Sequence, residues 1–154
     1  MANKVNPIPS GFHSITPSLI VKDADAAIAL YKAAFGAELV ECLRSPGGGV
    51  MHAELKIGDS RLMLGGEWPD HGLKAPAEGH SSGGLHLYVQ NADQAFQRAI
   101  DAGCKAIFPP SDMFWGDRYG KVLDPFGHQW GVATHIEDVS SEECARRAAA
   151  WKPS

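Results

Sequence analysis

Cysteine is scarce. Cys42, Cys104 and Cys144 are the only three in 154 residues, odd in number, far apart and without a CxxC pair. That argues against a disulfide-stapled scaffold, and the three read as reduced thiols in a cytosolic protein. No base or helix start adjoins any of them in sequence, so none reads as an activated nucleophile. An excess of basic charge is also missing: 14 Lys and Arg stand against 18 Asp and Glu, for a net charge of −4. Nucleic acid is therefore not an expected partner, and no basic stripe suggests a membrane surface. No apolar run approaches the length of a membrane span, and the start, "MANKVNPIPSG", lacks the charged-then-apolar order of a signal peptide. What is present, 44% hydrophobic and 21% charged residues, is ordinary for one globular domain spanning 1–154.

The chain repeats itself once. "LIVKDADAAIALYKAAFGAE" begins at Leu19 and "LYVQNADQAFQRAIDAGCKA" at Leu87. With that offset Leu19, Val21, Ala24, Asp25 and Ala27 fall on Leu87, Val89, Ala92, Asp93 and Ala95, and a single deletion brings Gly36 onto Gly103. Each copy reads as a strand, then a helix capped by Asp23 or Asn91 and ended by glycine. Ala24, Ala27, Ile28, Tyr31 and Phe35 recur at helical spacing, so that face is expected to pack on a sheet. Three more strands follow in each copy: 38–44, 50–57 and 61–64, then 105–108, 119–123 and 129–134. The units so defined run over about 12–67 and 83–136, joined by a Gly/Pro/Ser-rich loop. "SSEECARRAAAW" predicts a serine-capped helix over about 140–151. The fold class is α+β, with two βαβββ units in one chain.

Paired βαβββ units of this length resemble the vicinal oxygen chelate superfamily of glyoxalase I, bleomycin-resistance proteins, fosfomycin-resistance proteins and extradiol dioxygenases. "TPSLIVKDADAAIALYKAAFGAE", "MHAELKIGDSRLML", "LHLYV" and "GDRYGKVLDPFGHQWGVATHIEDVS" are similar to its PhnB-like branch. The resemblance implies half-barrel sheets enclosing a pocket. It also implies that metal-bearing members take ligands from the first and fourth strands of each unit. Aligned to the family's DPxG turn and to the internal repeat, those positions are Thr16, Met63, Gly84 and Gly131. None supplies an imidazole or carboxylate, so the glyoxalase I quartet is absent and no cofactor is expected there.

Strand alternation assigns the remaining faces. Leu85, Leu87 and Val89, with Met51, Ala53, Leu55 and Ile57, suit the helix-packed side, as do Trp130 and Val132. That leaves Ser18, His52, Glu54, His86 and Tyr88 facing inward beside Thr16 and Met63, with Phe114, Trp115, Arg118 and Tyr119 added from "MFWGDRYG". Aromatic walls with a few polar groups suit a small-molecule ligand. Leu55 and Leu87 are expected to be core, whereas His86 and Glu54 are expected to cost little stability when truncated.

Two readings of "VMHAELKIG" stand. In one, His52, Glu54 and His86 form a displaced site for a divalent metal, and the chain is a lyase, glyoxalase-like or dioxygenase-like enzyme with Glu54 and His86 as catalytic candidates. In the preferred one these groups hydrogen-bond to each other's neighbours, to Arg118 or to a ligand. The protein then sequesters a small aromatic or anionic compound as a cytoplasmic homodimer. Arg118 either clamps an anion or, with Asp117, fixes the turn before a strand. "DPFGH" reads as a tight turn, and His13, His71, His80 and His135 as solvent-exposed.

Overall fold

The computed structural model describes residues 5–78 and 81–152; His80 lies outside the described residues. The chain divides into two compact units, Met1–Ala77 and Glu78–Ser154. The first contains β1 (Ser18–Val21), α1 (Ala24–Phe35), β2 (Glu38–Arg44), β3 (Val50–Ile57) and β4 (Ser60–Gly66), then a 3₁₀ turn at Pro69–His71. The second contains β5 (Gly84–Tyr88), α2 (Ala92–Ala102), β6 (Lys105–Asp112), β7 (Asp117–Leu123), β8 (Gln129–His135) and α3 (Ser141–Ala150). The four-stranded sheets have orders β1-β4-β3-β2 and β5-β8-β7-β6, with β1 parallel to β4 and β5 parallel to β8. The α+β class and the repeated unit are those expected from the sequence.

Each helix begins where the sequence offers an acceptor. Asp23 Oδ1 accepts from Ala26 N at 2.9 Å, Asn91 Oδ1 from Gln94 N at 3.0 Å, and Ser140 Oγ from Glu143 N at 3.2 Å. Gly36 and Gly103 close α1 and α2 in the left-handed region, at φ 66° and 118°, where their N–H groups reach back to the last-turn carbonyls.

In the first unit Ala27, Tyr31 and Ala34 of α1 are buried with Val21, Ala53, Leu55 and Leu64 of the sheet. In the second, Ala92, Ala95, Phe96 and Ala99 of α2 are buried with Val122, Trp130 and Val132. Each sheet therefore has one helix-covered face and one helix-free face.

Two expectations need correction. The sixth strand does not stop at Phe108 but runs through Pro109 and Pro110 to Asp112. As an edge strand it can leave proline nitrogens unpaired, and the register shifts between Phe108 and Ser111 absorb the irregularity. Met51 does not face α1. Arg44 pairs with Val50 directly after the Leu43–His52 pair, so Met51 bulges out and is 56% exposed while Val50 is buried.

Candidate functional site

The helix-free face of the first unit carries one row across three strands: Ser18 pairs with Met63, and Met63 with Glu54. Thr16 sits two residues before β1 and is half-buried. Glu54 is nearly buried, and its partner is neither His52 nor Arg118 but Arg61, whose Nη1 lies 2.8 Å from Glu54 Oε1. The N–H directions miss the carboxylate, so the contact is an ion pair rather than an aligned hydrogen bond. The same guanidinium lies over the Phe12 ring, 5.5 Å from its centroid. His52 and Ser18 instead line an open cleft of about 960 Å³ at the C-terminal end of β1, beside the start of α1, Met51, Trp68 and Leu73.

The helix-free face of the second unit is a ring cluster. His86 stacks on Tyr119, with centroids 5.3 Å apart, and lies 4.8 Å from Tyr88. Phe108 meets Tyr119 edge-on at 5.2 Å, and Trp115 approaches it at 5.9 Å. Beneath these rings Asp117 is 3% exposed. Its Oδ2 accepts from Tyr88 Oη at 2.9 Å and Trp115 Nε1 at 3.1 Å, and its Oδ1 lies 2.9 Å from His135 Nδ1. Burial pushes the Asp117 carboxyl up, but the bonds from His135, Tyr88 and Trp115 outweigh it and hold the pKa below the ordinary value. The bond to Asp117, then burial, raises the Tyr88 phenol; burial raises that of Tyr119.

Arg118 is corrected. It projects toward α2, donating to both carboxylate oxygens of Asp93 and to Asp112 Oδ1, and it does not join the ring cluster. Arg118 thus bonds Asp112, its partner across the turn, while Asp117 turns to Tyr88, Trp115 and His135; "DPFGH" is a tight turn. There Asp124 Oδ1 accepts from Phe126 N and His128 N, Trp130 Nε1 donates to Asp124 Oδ2, and Gly127 has φ 91°. Cys104 is buried, which pushes its thiol up to about 12 and leaves it inert.

Sequence reasoning named Asp117 only as a turn residue and His135 only as solvent-exposed, and did not put the two together. The signal was their symmetry: each stands nine residues from Phe126, at the hairpin turn, so the antiparallel register sets them opposite one another.

A metal does not fit the positions that the resemblance singles out. Thr16, Met63, Gly84 and Gly131 offer no imidazole or carboxylate. A Cβ on Gly131 would stand 2.7 Å from Tyr119 Cε2 and 3.1 Å from His86 Nδ1, so two rings already fill the space an acidic ligand would need. Among the described residues no group of three or more His, Cys, Asp or Glu could hold a metal ion.

Two four-stranded βαβββ sheets with polar and aromatic helix-free faces define a class of paired-unit proteins. The model of the Glyoxalase/Bleomycin resistance protein/Dioxygenase superfamily matches residues 11–132, and the chain belongs to that superfamily. A relative described as an uncharacterized protein of Mycobacterium tuberculosis strain H37Rv is 37% identical over 134 residues, covering 84% of this chain and 79% of that one. Among solved structures, TioX from Micromonospora sp. ML1 is 27% identical with a TM-score of 0.64, over 80% of this chain and 99% of that one. Protein PA1353 from Pseudomonas aeruginosa is 26% identical with a TM-score of 0.65, over 81% and 99%.

Proposed function

We propose that this chain binds a small aromatic compound on the ring-lined face of its second unit, without the usual metal quartet. In this reading it is a cytoplasmic, homodimeric member of the PhnB-like branch, and residues 1–154 act as a single module. The observation that carries the reading is Gly131. The strand position that would bear a metal ligand is instead the floor on which Tyr119 and His86 stack. His86 and Tyr88 are exposed on that face, so a flat ligand has ring surface to pack against. Arg118, the cation considered for clamping an anion, is held by Asp93 and Asp112, which favours the aromatic class over the anionic one.

The test joins native mass spectrometry of untagged protein, to identify a co-purified compound, with thermal denaturation in Zn, Ni or Mn. The expected outcome is an aromatic ligand whose affinity falls in Tyr119→Ala, and a melting temperature indifferent to metal. A native metal site would raise that temperature by an amount growing with free metal. A saturable rise lost in His52→Ala or His86→Ala would overturn the proposal and favour the metal-dependent lyase, glyoxalase-like or dioxygenase-like alternative.

A further inference from the structure

His135 is bonded at both ends of its ring. Nδ1 lies 2.9 Å from Asp117 Oδ1 and Nε2 lies 2.8 Å from Asp138 Oδ1. Ionised carboxylates only accept, so satisfying both contacts needs a hydrogen on each ring nitrogen, which is the imidazolium. Asp117 needs that charge: it is 3% exposed, and its other partners, Tyr88 and Trp115, are neutral donors. The two carboxylate oxygens divide the work, Oδ1 facing His135 while Oδ2 holds both rings.

We propose that Asp117 and His135 are positioning residues of the aromatic wall: the imidazolium at 135 locks the carboxylate from which Tyr88 and Trp115 hang, and loss of its proton releases them.

The device rests on the ligand-binding reading only for its purpose, because the lock itself exists without a ligand. The charged and titratable groups around it come from every neighbouring element. β5 supplies Tyr88 and, 4.8 Å from it, His86; β7 supplies Asp117; the segment after β8 supplies Asp138. Beyond them Glu137 is neutralised by Arg147 of α3, which also pairs with Glu143. The Asp138 and Asp117 bonds raise the pKa of His135 above its ordinary 6.5. Deprotonation replaces the charge-assisted bond to Asp117 with a neutral one or none, and a buried carboxylate loses its only opposite charge among those contacts.

The experiment is fluorine NMR of the full chain carrying 5-fluorotryptophan, from pH 5 to 9, without ligand. The Trp115 resonance is assigned by its loss in Trp115→Phe, and His135 is followed by its ring proton. The expected result is a Trp115 step centred above pH 6.5 that coincides with the His135 titration and is absent in His135→Gln. Asp138→Asn, at a fully exposed side chain, guards against a misfolded His135 variant and should move both midpoints down together. A flat Trp115 resonance, or a step that persists unshifted in either variant, overturns the proposal. Because no ligand is present, failure here is separate from failure to find a bound compound.

Discussion

Burial and partners, more than strand parity, decide what each side chain contributes. Parity placed Leu55 and Leu87 on the helix side and Glu54 and His86 opposite, and suggested that the second pair could be truncated cheaply. Leu55 is fully buried, whereas Leu87 is only half-buried. Leu55→Ala should therefore cost about 2–5 kcal/mol, through lost burial and a residual cavity, and Leu87→Ala clearly less. Glu54 changes category. Its truncation strands the mostly buried Arg61 guanidinium, so the cost should be roughly 1–3 kcal/mol, between that of a surface substitution and that of a fully buried broken pair. His86, exposed and held by ring stacking, should stay within about 1 kcal/mol. Urea denaturation of the four variants orders them as Leu55, Glu54, then Leu87 and His86. A Glu54→Ala variant as stable as the parent would show that the ion pair contributes nothing.

At the scale of elements, the β7–β8 hairpin carries a titration with a definite sign. His135 has a raised pKa, so its stabilising contribution is complete below its unfolded value near 6.5 and is lost as pH rises through the higher folded value. Asp117 has a lowered pKa, so its contribution is complete above the unfolded value near 3.8 and is lost only on acidification below it. The melting-temperature gap between the parent and His135→Gln should thus be widest near pH 5–6 and close by about pH 9. A gap that widens with pH would reverse the assignment. The hairpin also shows what a sequence exposes and what it hides. Caps at Asp23, Asn91 and Ser140, the closing glycines and the alternation of β8 and of β3 beyond the Met51 bulge rest on neighbours in sequence, and they were legible. The Glu54–Arg61 pair, the extension of β6 through two prolines and the commitment of Arg118 to Asp93 depend on strand order and register, which single-sequence periodicity does not contain. Asp117 lay between these cases. Its partner was deducible from the turn, but its three bonds required Tyr88 from another strand and Trp115 from a loop.

For the whole molecule, the edges of both sheets set the remaining problem. β2 is an edge strand and exposes Leu39, Val40 and Leu43 by 40%, 48% and 51%, and β6, the edge of the other sheet, exposes Ile107 by 44%. Exposed apolar residues on an unpaired edge invite pairing with another chain, and native proteins usually block such edges with charge, proline or a covering element. β6 carries Pro109 and Pro110, which remove two donors from its edge. β2 has no proline, and only Glu38, Glu41 and Arg44 interrupt its apolar run. In the homodimer proposed above, a second copy would cover such an edge and leave no open filament, because a twofold interface closes on itself. β2 is therefore the edge expected to lie in it. Sedimentation velocity over a hundredfold concentration range should return a dimer for the parent, and Val40→Lys with Leu43→Lys should shift it toward monomer. Both side chains are about half exposed, so the double variant should fold, which far-ultraviolet circular dichroism checks. A parent that sediments as a monomer throughout would refute the dimer. A dimer untouched by the lysines would place its interface away from β2.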